Sequence, residues 1–167
     1  QVNEWIHQIG EVFLLETNEY PGKGGPVQTL PYDHYSLDEV ETELPFVLGL
    51  PQWVPDDFEL VSQVKVTRFE EIAINAYIDW KTPSDSIFSL IIQQRLDGES
   101  GGFVVGEGSV QEYLVNGEPA ALILGGWNAD TQMWDDNLDV ITLSWNHNGQ
   151  LYTLQGIYED VSLDELK

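Results

Sequence analysis

Residues 36–60 read SLDEVETELPFVLGLPQWVPDDFEL, and the change of pattern inside this stretch sets the architecture. Ser36 is an N-cap residue with Glu39 three positions on, the two halves of a capping box. Asp38 and Glu39 put negative charge in the first turn, where the helix dipole is positive. Pro45 ends this helix near Leu44, because proline has no N–H to donate and disfavours helical geometry in the residue before it. Pro51 and Pro55 then steer the backbone until a strand starts at about Leu60.

Downstream of Leu60 the apolar period is two. Ile72, Ile74, Ala76, Ile78 and Trp80 alternate with Ala73, Asn75, Tyr77 and Asp79, which predicts a half-buried strand. Residues 86–95 predict another, with Phe88, Leu90 and Ile92 on one face, and residues 98–108 are a glycine-rich break. Residues 110–115 and 120–124 flank Asn116-Gly117, a dipeptide that tolerates the positive φ angles of a tight turn. Residues 140–145 and 151–157 flank a second turn at 146–149, and Ser162 with Glu165 repeats the capping logic of the first helix. These elements predict an α+β domain: a curved antiparallel sheet of about seven strands, with one helix before it and one after it covering a single face. Such a sheet must curl or close, since long exposed edges are a liability.

Upstream, residues 2–20 fit both a helix, through Trp5, Ile6, Ile9, Val12 and Phe13, and a strand over 12–17. Residues 20–31, with three Gly and three Pro, read as a connecting loop. Residues 1–35 are therefore expected to be an N-terminal extension and Gly/Pro loop, and 36–167 the α+β domain, in a single globular unit.

The chain carries 29 acids against six bases, a formal net charge of -23. Four of the bases, Lys65, Arg68, Lys81 and Arg95, fall between residues 61 and 100, and none occurs from there to Lys167. This surface repels phosphates and anionic headgroups, which argues against nucleic acid as a partner. The absence of Cys excludes disulfides, thiolate metal sites and thiol catalysis. No run of about 20 apolar residues is present. The chain starts at Gln1, as expected of a fragment or processed product, so any membrane segment is expected before it.

Gly98-Glu99-Ser100-Gly101-Gly102 matches G-x-S-x-G, but a nucleophile elbow needs a helix straight after the Ser, and Phe103-Val104-Val105 does not begin one. His7, His34 and His147 show no ligand spacing. No catalytic residue and no cofactor is expected, and the chain is read as a non-enzyme. Two loop features stand as candidate sites. Asp130, Asp135, Asp136 and Asp139 are an oxygen-rich group that could take calcium, though without the ligand order of an EF-hand. Trp127, Met133 and Trp134 lie in the same loop, where they could contact a ligand or partner or fold back as a lid over the sheet.

Ser36-Leu37-Asp38-Glu39 leading into Leu44-Pro45-Phe46, and then Leu50-Pro51-Gln52-Trp53-Val54-Pro55, resembles the entry of a bacterial domain family of unknown function. Residues 115–120, 141–145, 150–156 and 161–166 resemble its hairpin, its ending and the start of its terminal helix, so the likeness covers about 36–167. The family is found as the outer C-terminal portion of membrane-anchored, anti-sigma-factor-like proteins, and is distantly like periplasmic lipoprotein carriers. The resemblance implies an extracytoplasmic, tethered sensor or interaction domain with an unknown protein or small-molecule partner. The alternative it implies is binding of a lipid or other apolar molecule on the concave sheet face. A calcium-dependent adhesive module is the further expectation.

Overall fold

The computed structural model describes residues 5–21, 31–52, 54, 56–69, 71–84, 86–98, 102–136 and 140–157. The first two strands, β1 (Trp5–Ile9) and β2 (Val12–Thr17), form a hairpin turning at Gly10. The nine-stranded main sheet is drawn from the chain beyond this hairpin. Its members in chain order are β3 (Asp33–Tyr35), β4 (Glu59–Leu60), β5 (Val64–Phe69), β6 (Ala73–Lys81) and β7 (Ile87–Arg95), then, after β8 (Gly102–Gly106), β9 (Val110–Val115) and β10 (Glu118–Leu124). A small ribbon, β11 (Gly126–Asn128) and β12 (Met133–Asp135), precedes the last two members, β13 (Val140–His147) and β14 (Gln150–Ile157). Across the sheet the order is β3-β5-β6-β7-β14-β13-β10-β9, antiparallel throughout, with β4 paired to the far end of β6.

The one helix among the described residues, α1 (Leu37–Glu43), has the cap its sequence requires. The Ser36 amide donates to Glu39 Oε2 at 2.9 Å, and the Glu39 amide donates back to Ser36 Oγ at 3.3 Å. Leu44 takes extended geometry (φ -91°, ψ 142°) before Pro45, which stops the helix there. The helix does not precede the sheet, however. It connects β3 to the rest, because residues 33–35 already pair with β5. The expectation of seven strands with a leading helix is corrected on this point: β3 and β4 are three and two residues long, too short for an alternation to show in sequence. The described chain is mostly β, and the helix expected at Ser162 lies outside the described residues.

Both faces of the main sheet are apolar over part of their area. On one, α1 contributes Val40 and the following segment contributes Leu44 and Phe46, packed on Val64, Val66, Ile78, Trp80, Phe88, Leu90, Ile92 and Tyr152. Gly49 approaches Tyr152 so closely that a Cβ there would lie 2.8 Å from the phenol oxygen. The phenol donates to Gln150 Oε1 at 2.9 Å, and burial pushes its pKa up. Ala120, Leu122, Ile141 and Leu143 continue this face towards β9.

On the opposite face lies a second sheet, in which β8 joins the β1–β2 hairpin parallel to β2. Ile9, Val12, Leu14 and Val105 from this sheet meet Ala121, Ile123 and Leu151 of the main one. Residues 5–17, ambiguous in sequence, are thus strands that complete a second apolar layer.

The tight turns fix register. Asn116 and Gly117 have φ of 51° and 85°, the two left-handed residues of a type I′ turn. The second turn is equally short: β13 runs through His147, and only Asn148 and Gly149 (φ 53° and 77°) bridge it to Gln150. A four-residue turn at 146–149 gives way to this arrangement because Asn-Gly matches the twist of the strands it joins.

Candidate functional site

The ribbon β11–β12 carries the aromatic residues singled out in sequence. Trp127 and Trp134 are directly opposed across it, edge to face with centroids 5.3 Å apart. Trp127 also meets the Tyr20 ring at 5.8 Å, and its indole N–H donates to the Val104 carbonyl at 3.0 Å. This bond ties the ribbon to the exposed edge of β8. Within the connecting turn, Asn128 Oδ1 accepts from the amides of Asp130 and Thr131 at 3.0 and 3.1 Å, and Gln132 takes a positive φ of 54°.

Trp134 is half-buried and packs on the cluster formed by Val12, Leu14, Val105 and Ile123. Two glycines make room for it. A Cβ on Gly106 would lie 2.2 Å from Trp134 Cγ, and one on Gly125 would lie 2.9 Å from Trp134 Nε1 and 2.6 Å from the Asp135 carbonyl. Among the described residues the buried indole N–H meets no acceptor, a loss of about 1–3 kcal/mol relative to a satisfied donor. Met133 is split off from the pair: it neighbours Trp134 in the strand, so it points to the other side of the ribbon, and it is 64% exposed.

The aspartates expected to gather around a cation are arranged differently. Asp130 and Asp136 are exposed, Asp135 is half-buried opposite Gly126, and Asp139 lies outside the described residues. Among the described residues no group of three or more His, Asp or Glu side chains could hold a metal ion. Ser100 also lies outside them, and β8 follows it as a strand. His34 and His147 sit on β3 and at the end of β13, and His147 Nδ1 contacts Glu118 at 2.8 Å.

A second feature went unread in sequence. Ile9, Val12, Leu14 and Val105 are buried, and their neighbours face out: Ile6 pairs with Leu15, Leu15 with Val104, and Phe13 with Gly102. Ile6 is 79% exposed, Phe13 38% and Val104 37%, with Leu15 half-buried between them. The signal was present as FLL over residues 13–15, apolar on both faces where a one-sided strand would alternate.

Residues 49–167 match the family described as "Domain of unknown function (DUF4367)". The chain belongs to this family. No curated protein and no solved structure matches it. The matched region of this DUF4367 domain begins in the segment that packs on Tyr152 and takes in the main sheet from β4 onwards, with β8 and the tryptophan ribbon. Strands β1 and β2, which carry Ile6, Phe13 and Leu15, lie ahead of it. No helix among the described residues is long and apolar enough to cross a membrane.

Proposed function

We propose that this DUF4367 domain is a non-enzymatic interaction or sensing module, held outside the cytoplasmic membrane as part of a membrane-anchored bacterial protein. The observation that carries this reading is the outward apolar face of Ile6, Phe13, Leu15 and Val104. Contiguous apolar patches on a soluble domain mark contact surfaces, because leaving them in water forgoes about 25 cal/mol for each Å² that a partner would cover. Trp127 borders this face through its bond to Val104, so the ribbon and the patch form one surface. The tethered location draws support from the family resemblance, and repulsion between the acidic surface and anionic headgroups would keep the tethered domain clear of the bilayer.

The alternative is an apolar small molecule on the concave face of the main sheet. It would compete with side chains on either face, since Val40, Leu44 and Phe46 pack on one and Ile9, Val12, Leu14 and Val105 on the other.

Site-specific photo-cross-linking in cells carrying the full-length protein tests the proposal. A cross-linker at Ile6 should give a discrete adduct that a cross-linker at the exposed Gln63 does not give. Protease added to intact spheroplasts should cleave the domain. Equal adducts at both positions, or protection from external protease, would overturn the reading.

A further inference from the structure

From the geometry of the N-terminal hairpin we infer that the outer edge of β1 is an interface for a second copy of this chain. The two β1 strands pair antiparallel about a two-fold axis and join two three-stranded sheets into one. The inference rests on the contact-surface reading above, since Ile6 belongs to both, and it names the partner.

The turn decides which backbone groups are available. Ile9 pairs with Val12 across the two-residue turn of Gly10 (φ 58°) and Glu11, so these two exchange both hydrogen bonds and the pattern alternates from there. Ile9, His7 and Trp5 therefore spend their N–H and C=O groups on β2. Those of Ile6 and Gln8 point the other way, to the side of β1 where, among the described residues, no strand pairs. Proteins blunt such edges with lysine, proline, bulges or short strands, or cover them. On β8, the other edge of this sheet, the Val104 carbonyl accepts from the Trp127 indole at 3.0 Å and the Gly106 carbonyl from the Ser109 hydroxyl at 2.8 Å. In the main sheet the edge strand β3 has three residues, and its Asp33 is bridged to Arg68 at 2.7 Å. Strand β1 is five residues long, WIHQI, regular in register and without lysine or proline.

Self-complementarity and charge select the occupant. With the two-fold axis at His7, Ile6 of one copy lies opposite Gln8 of the other, and Trp5 opposite Ile9, so every position of β1 pairs. The outward N–H and C=O groups of Ile6 and Gln8 are then satisfied in both copies. Ile6, 79% exposed, packs on the aliphatic stem of the facing Gln8 and diagonally on the other Ile6, which carries the apolar row of Val104, Leu15 and Ile6 across the axis. The chain has a net charge of -23, yet β1 holds no Asp, Glu, Lys or Arg, so this pairing sets no carboxylate of one strand against the other. Pairing β9 with its own copy would bring two Glu112 residues close together. Strand pairing over so short an edge buries less than the roughly 1,200 Å² of a stable complex, so the dimer is weak and concentration-dependent.

The test uses the domain itself at about 10 μM and about 1 mM, by sedimentation equilibrium and by amide exchange in NMR. Dimer should form as the concentration rises. Raising NaCl from about 0.05 to about 0.5 M should tighten it at least about fivefold, because salt screens two bodies of like charge. Exchange at the Ile6 and Gln8 amides should slow at least about fivefold between the two concentrations, with Ile9 and Leu14 unchanged, because these are already bonded within the hairpin. Ile6→Glu, at an exposed position, sets two carboxylates diagonally across the axis and should weaken pairing about tenfold or more. Ile6→Pro removes an outward N–H without breaking a bond to β2 and should give a similar loss. A monomer at the higher concentration and salt, a dimer without protection of the Ile6 and Gln8 amides, or equal affinity in Ile6→Glu would each overturn the inference. A monomer that still gives a discrete adduct to another protein through Ile6 in cells would overturn the dimer alone. A dimer in solution with no discrete adduct at Ile6 in cells would overturn only the reading above.

Discussion

Replacing Gly106 with Ala tests the packing of the tryptophan ribbon directly. The new methyl carbon would lie 2.2, 2.5 and 2.6 Å from Cγ, Cδ2 and Cδ1 of Trp134, separations that real contacts do not sustain. The other boundary of the ring, Gly125, is backbone whose amide donates to the Val140 carbonyl at 2.9 Å, so the indole has to swing outward. A tryptophan buries about 150–250 Å², and half of that at ~25 cal/mol per Å² gives about 2–3 kcal/mol lost. Against this, the orphaned Nε1–H regains water, which offsets about 1 kcal/mol. The expected net cost is about 1–2 kcal/mol, a fall of roughly 3–6 °C in thermal midpoint for a domain of this size. The assay is a double-mutant cycle by thermal unfolding, with Trp134→Ala as the second substitution. In that background Gly106→Ala should cost less than about 0.5 kcal/mol, since the ring it displaces is gone. An equal cost in both backgrounds would refute the steric account.

Trp134→Phe keeps much of the ring and deletes the unsatisfied donor, so its cost should stay below about 1 kcal/mol, where burial alone predicts more; calorimetry distinguishes these. For Glu39, the hydrogen bond from the Ser36 amide, the largest cause, lowers the pKa below the usual 4.5. A carboxylate with a depressed folded pKa adds stability above its unfolded pKa and loses it as the pH falls through the folded value. The difference in midpoint between wild type and Glu39→Gln should therefore favour wild type at pH 7 and close as the pH is taken down through and below 4.5; a gap that persists at low pH would contradict the sign.

Local chemistry was legible wherever neighbours in sequence decide it. The capping box at Ser36, the stop at Pro45 and the turn at Asn116-Gly117 all depend on groups within four residues. The long strands β6, β7, β13 and β14 showed their alternation because one face is apolar over eight or nine residues. What stayed hidden depends on distant partners. Residues 33–35 and 59–60 are strands only because β5 and β6 lie beside them. The stretch 12–17 could be resolved only by β8, which supplies its parallel partner. Trp127, Met133 and Trp134 stand out in sequence as one loop group, yet Gly106 and Gly125, which shape the space around Trp134, give no sign of that role there.

The parallel pairing of β2 with β8 has a consequence for how the chain reaches this fold. The bond from the Gly108 amide to Glu16 spans 92 residues, and Phe13 cannot meet Gly102 until β8 has been made. During synthesis the β1–β2 hairpin emerges before β8, with Val12 and Leu14 as bare as Phe13 and Leu15. Long-range closure of this kind is slow. The hairpin is thus made long before it is sheltered, which makes it a point where a nascent chain needs a holding chaperone.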